Sequence, residues 1–227
     1  RTSERYASDV RLHISPVIGG IRLDHLQAAE AQMVLSKMLR AGSAPRSVRN
    51  CYRVMRLALK HAVEKGILQV NVTDAVKPPR LESIELEIPS LEEVRHILNL
   101  ADSTAYGLVL RFMASTGCRR GEALGLEWRH VDLENGTASI VQSLQRIGTT
   151  GLRFVPPKSA KSRRSVALDE HTVEMLRSHR GGQILAMAQL GSTYEDNGLV
   201  FPGLLGKPLD PRTLTRNFEK LARHAGK

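Results

Sequence analysis

The sequence predicts a mainly α-helical chain with a small antiparallel β-sheet (an α+β protein) arranged as two domains. Three observations carry this expectation. Apolar residues recur at three- and four-residue steps through most of the chain, the spacing of one buried helix face. Short alternating segments bounded by turn residues occur only between about 137 and 168. A seam at Pro78–Pro79 is followed by an acidic, extended stretch and then by Ser90-Leu91-Glu92-Glu93, whose serine and second glutamate form a capping box that opens a new helix. The expected division is therefore 1–80, a linker at 81–89, and 90–227.

Helices are expected near 3–13 and 27–41 in the first part, the second stopping at Gly42. The clearest runs from about Pro45 to Lys65 and stops at Gly66, with Val48, Tyr52, Met55, Leu59 and Ala62 on its buried face. A short helix near 72–76 leads to the seam. In the second part, helices are expected near 90–100, 104–115 and 119–127. A strand over Thr137–Ile147 follows the Asn135-Gly136 turn. Leu152–Pro156 and Arg163–Leu168 read as two further strands around the loop Lys158-Ser159-Ala160-Lys161. Asp169 caps a long helix, and 211–224 forms another.

Composition narrows the partner. The 227 residues hold 33 Lys+Arg against 23 Asp+Glu, a formal charge of +10, which favours a polyanion. The excess is concentrated: residues 1–80 carry 14 basic and 6 acidic side chains. Aromatic residues are only 4%, which argues against a single-strand binder built on stacking platforms, so duplex DNA fits better; an RNA-binding module has only the net charge behind it. No apolar run reaches the roughly 20 residues of a membrane span. The two cysteines, Cys51 and Cys118, lie far apart without metal-ligand spacing, as expected of a reduced, cytoplasmic protein with no metal.

The 45–65 helix carries a second stripe. Arg46, Arg49, Arg53, Arg56 and Lys60 follow the same steps, displaced by about 100° around the axis. Like charges in a row repel unless an anion lies along them, and the row itself contains no acid. A DNA-facing helix is the expectation, with a solvated face as the alternative.

The densest motif is Thr116-Gly117-Cys118-Arg119-Arg120-Gly121-Glu122, followed by Leu124-Gly125-Leu126-Glu127-Trp128 and Val131-Asp132. It resembles the first signature box of the tyrosine recombinase (phage integrase) family. The segment from Pro156 to Leu168 resembles that family's lysine-bearing β-hairpin, with Ser159 where the family has threonine. Tyr6, Pro16, Gly19, Leu23, the basic helix and the stretch from Ala62 to Asn71 resemble its helical, SAM-like core-binding domain.

The resemblance implies a core-binding domain followed by an integrase-type catalytic domain, closing around double-stranded DNA and self-associating for recombination. It implies DNA strand cleavage and rejoining through a 3′-phosphotyrosyl intermediate, with no cofactor, because each step exchanges one phosphoester for another. Arg119 becomes the first catalytic arginine, a fork of donors for the phosphodiester's non-bridging oxygens. Glu122, one turn on, holds that arginine. Lys158 becomes the general acid for the leaving 5′ oxygen, with Lys161 as competitor. Arg163 and Arg164 touch phosphates or flank the strand.

The family's His-x-x-Arg box and nucleophilic tyrosine have no match: no histidine has arginine three residues on, and Tyr6, Tyr52, Tyr106 and Tyr194 all precede the expected place. Truncation before those elements is the expectation, giving a fragment that binds DNA without cleaving it. The alternative is a non-catalytic DNA-binding regulator that kept the fold.

Overall fold

The structure, a computed structural model, describes residues 2–82, 87–148, 151–156 and 163–226. The chain forms two compact units, Arg1–Leu86 and Glu87–Lys227.

The first unit is helical. It opens with α1 (Thr2–Asp9), passes through a π-helical turn at Val10–Ile14, and continues as α2 (Ser15–Ile18). A single helix over 3–13 was expected. Pro16 explains the difference: it has no N–H for the ladder, and the Ser15 amide reaches back five residues to the Val10 carbonyl. α3 (Ala28–Arg40) and α4 (Pro45–Glu64) follow, then a 3₁₀ turn at Val72–Ala75. Ala31, Val34, Leu35 and Met38 of α3 pack against Val48, Cys51 and Met55 of α4. The buried stripe of α4 is wider than the expected one, since Cys51 and Val54 are buried with it. Tyr52 is half-buried at its edge and donates its hydroxyl to the Thr73 carbonyl (3.2 Å), tying α4 to the 3₁₀ turn.

The second unit opens with α5 (Leu91–Asp102), where Ser90 and Glu93 form the expected capping box. α6 (Gly107–Thr116) and α7 (Arg120–Leu124) come next. The strands are β1 (Val131–Asp132), β2 (Thr137–Ile140), β3 (Ser143–Ile147), β4 (Gly151–Val155) and β5 (Arg164–Ala167), and the unit ends in α8 (Glu170–Leu190) and α9 (Pro211–His224).

Two strand expectations are corrected. The stretch Thr137–Ile147 is two strands in different sheets, in the orders β1-β2-β5 and β3-β4. The break falls at Gln142, whose side-chain amide donates to the Gly125 carbonyl (2.9 Å) and to Glu127 Oε1 (2.6 Å), turning the chain out of the first sheet. The segments on either side of the 158–161 loop are not each other's partners either: β4 pairs with β3, and β5 pairs with β2, Ile140 opposite Arg164. Alternating apolar positions mark both strands but cannot say which neighbour each one takes.

Phe112, Leu124, Ile140, Leu144, Leu176 and Leu214 meet in the core of this unit, so α6, α7, both sheets, α8 and α9 share one interior.

Candidate functional site

The turn between α6 and α7 is built for display. α6 ends at Gly117, whose φ of 64° is the left-handed conformation that closes a helix and favours glycine. Cys118 then turns inward and is buried. Arg119, in extended conformation, is the N-cap of α7. Its guanidinium leaves the surface with the side chain 79% exposed.

Beneath it sits Glu122, whose side chain is only 11% exposed. One carboxylate oxygen, Oε1, accepts from Arg119 Nη1 (3.0 Å). The other, Oε2, accepts from the Arg119 backbone N–H (3.1 Å) and from Arg164 Nη2 (2.7 Å). The carboxylate thus caps α7, braces the arginine at the cap and reaches strand β5. Burial opposes its ionisation. The hydrogen bond from Arg164 and those from the Arg119 backbone and side chain outweigh it, holding the carboxyl down at about 2. Cys118, packed beside the same group, has its thiol pushed upward by burial.

The glycines of this motif have a steric reason. A Cβ on Gly121 would stand 2.5 Å from Ser143 Oγ and 2.8 Å from the Leu144 carbonyl oxygen; one on Gly125 would stand 2.9 Å from the Leu144 amide. The short helix α7 lies directly on β3, and its bare face sets the depth at which Arg119 emerges.

Further contacts hold this platform. Arg120 hydrogen-bonds Thr215 of α9. Arg146 of β3 donates through Nε (2.8 Å) and Nη2 (2.5 Å) to Asp210, which caps α9 at the Arg212 amide (2.9 Å). Trp128 donates its indole N–H to Gln183 Oε1 (2.7 Å), and the buried Gln183 amide donates to the Tyr194 hydroxyl (3.0 Å) and the Leu199 carbonyl (3.0 Å). Arg180 lies over the indole face, 5.2 Å from its centre. None of these links was foreseen, because side chains separated by tens of residues leave no periodic signal.

The structure brings together Arg119, Glu122 and Arg164. Arg163 is described and exposed. Lys158 and Lys161 lie outside the described residues. In the first unit, Arg46, Arg53, Arg56 and Lys60 are exposed along α4 and Arg49 is half-buried. The row is less purely cationic than its own residues suggest, since acids meet it from the 3₁₀ turn and from the last turn of α4. Asp74 pairs with Arg56 (2.9 Å), and Glu64 with Lys60 (3.6 Å). Arg46, Arg49 and Arg53 have no ion-pair partner among the described residues.

Residues 90–227 match the phage integrase family, and the chain belongs to it. The full chain is 23% identical to an integrase of Saccharopolyspora erythraea, covering 64% of it. It is 26% identical to an integrase of Streptomyces ambofaciens over 99% of the chain and 58% of that protein. A tyrosine recombinase XerC-like protein of Caldanaerobacter subterraneus is 23% identical over 91% of the chain and 57% of that protein. The chain therefore spans about three-fifths of the length of these curated relatives. Among solved structures, the integrase of transposon Tn1549 in complex with transposon right-end DNA superposes with a TM-score of 0.76 at 15% identity, over 97% of this chain and 73% of that one. A lambda integrase dimer bound to a COC′ core site superposes with a TM-score of 0.68 at 15% identity, over 100% of this chain and 74% of that one. These likenesses carry the mainly helical α+β fold.

Proposed function

We propose that this chain is the DNA-binding portion and part of the catalytic portion of a tyrosine-type site-specific recombinase. The observation that carries the reading is the exposed Arg119 guanidinium held on the buried Glu122 carboxylate. When a nucleophile attacks a phosphodiester, negative charge builds on the non-bridging oxygens. A guanidinium already fixed in place stabilises that charge without reorganising.

In the proposed reaction a tyrosine oxygen, its hydroxyl proton released to solvent, forms a bond to phosphorus and the bond to the 5′ oxygen breaks. The products are a 3′-phosphotyrosyl link and a 5′ hydroxyl, whose proton comes from Lys158, with Lys161 as the competing donor. A second 5′ hydroxyl then reverses the exchange on a new strand. Residues 1–80 act as the core-binding domain, with Arg46, Arg49, Arg53, Arg56 and Lys60 along double-stranded DNA. Residues 90–227 act in catalysis, 81–89 connect the two, and copies self-associate during recombination. Family membership and the basic face of α4 support the DNA partner.

The 227 residues by themselves are proposed to bind DNA without cleaving it. Tyr52 and Tyr194 spend their hydroxyls on Thr73 and Gln183, and no tyrosine hydrogen-bonds Arg119 or Glu122 among the described residues. The test is a gel-shift titration combined with a nicked suicide substrate. Duplex binding that weakens steeply with salt, with no covalent adduct, is the expected result. A covalent adduct would overturn the second proposal, and absence of duplex binding the first.

A further inference from the structure

Arg164 stands one residue past Arg163 at the start of β5, and by sequence alone both are cations available to a phosphate. Their surroundings differ. Arg163 is exposed, whereas Arg164 has its side chain 34% exposed and donates Nη2 to Glu122 Oε2 at 2.7 Å. The two oxygens of Glu122 are divided between two guanidiniums: Oε1 faces Arg119, and Oε2 faces Arg164 while also accepting from the Arg119 backbone N–H. Both bonds from Arg119 come from the residue being positioned, and the backbone one is the longer at Oε2 (3.1 Å against 2.7 Å), so among the described residues Arg164 is the anchor that ties the carboxylate plane to β5. Arg164 is itself fixed, because it sits in the β2–β5 ladder opposite Ile140, at the end where the strand packs beside Cys118.

We infer that Arg164 is a positioning residue that acts through Glu122, locking the carboxylate plane so that the Arg119 guanidinium is presented in one orientation, and that it is not a DNA contact. The inference rests on the proposed role of Arg119 for its significance, but its geometry stands on the protein alone. It also assigns β5 a function besides sheet formation: the strand supplies the back wall of the arginine's cradle.

The test uses the 227-residue chain. Glutamate carboxyl titrations and arginine guanidinium exchange are followed by NMR, and affinity for a random-sequence duplex is measured across a salt series. Arg164→Gln is expected to raise the Glu122 carboxyl from about 2 toward the ordinary glutamate value of 4.5. It is also expected to speed rotation of the Arg119 guanidinium severalfold while leaving the salt slope of duplex binding unchanged. Arg164→Lys, which keeps a cation on Oε2, should restore the low carboxyl value and part of the slow rotation. In a Glu122→Gln background, Arg164→Gln should have no further effect on Arg119.

A salt slope reduced by about 0.9, the loss of one phosphate contact, would overturn the inference. So would Arg119 rotation indifferent to Arg164, or a Lys variant no better than Gln. If the unsubstituted chain binds no duplex, the proposed function fails while the titration and rotation still decide the role of Arg164.

Discussion

Glu122 is a carboxylate with more partners than its length of chain suggests, and its loss should be felt in stability as well as in the site. Glu122→Gln leaves Arg119 free in solvent and Arg164 half-covered without its anion. A cost of roughly 1–3 kcal/mol is expected in urea unfolding of the second unit, the lower end reflecting the exposure of both arginines. The pH dependence has a definite sign. The carboxyl is held at about 2 against an ordinary 4.5, so its contribution is complete above about 4.5 and drains away as the pH falls toward 2. The Gln variant should lack that segment of the acid-unfolding curve. A variant whose stability falls in parallel with the unsubstituted protein between those values would show that the carboxylate adds nothing. Arg119 stood out in the sequence as a candidate because its motif is dense. Arg164 was legible only as a cation, because its partner lies 42 positions away.

At the scale of elements, α7 and α4 make opposite kinds of demand. α7 is short, and its position depends on the absence of side chains at Gly121 and Gly125. Gly121→Ala drives a methyl group into Ser143 Oγ and the Leu144 carbonyl, so overpacking should cost about 1–3 kcal/mol. An Ala variant as stable as the original, in the same urea experiment, would mean that β3 can retreat. α4 instead presents its face outward. Among the described residues Arg46, Arg49 and Arg53 lack acidic partners, whereas Arg56 and Lys60 have them. Replacing Arg49 and Arg53 by Ala should therefore flatten the log–log salt dependence of duplex binding by up to about 1.8, at about 0.9 per phosphate contact. Arg56→Ala should change it less. Equal slopes for all these variants would return the stripe to a solvated face. The helix itself was plain in the sequence because it runs 20 residues on one period. The strands were not: those described are two to five residues long, too short for alternation to name their partners, and the break between the two sheets falls at Val141–Gln142, which carries no turn signal.

At the scale of the whole molecule, the two units have separate interiors, one of α3 and α4 residues and one gathered around Phe112, Leu124 and Leu214. Residues 1–86 and 87–227 expressed separately should each give cooperative thermal unfolding; a non-cooperative transition in either piece would show that its core is insufficient alone. The capping box at Ser90 and Glu93 was readable because it is a local signal, complete within a few residues. What joins α7 to α9 and β3 to α9, through Arg120–Thr215 and Arg146–Asp210, was not, because such pairs exist only once the core has brought distant segments together.

The chain has one tryptophan, and it lies in the second unit, half-buried, with its indole N–H on Gln183 and a guanidinium over its face. Excitation at the red edge of the absorption band, where tyrosine is silent, therefore reports on one unit alone. When the Gln183 bond opens and water reaches the indole, the emission should shift to longer wavelength and the influence of Arg180 should vanish with it. The partners named for the indole, Gln183 and Arg180, both belong to the second unit. A red shift that follows the far-ultraviolet circular dichroism of 87–227, and not that of 1–86, would turn Trp128 into a built-in optical label for the unit that carries Arg119.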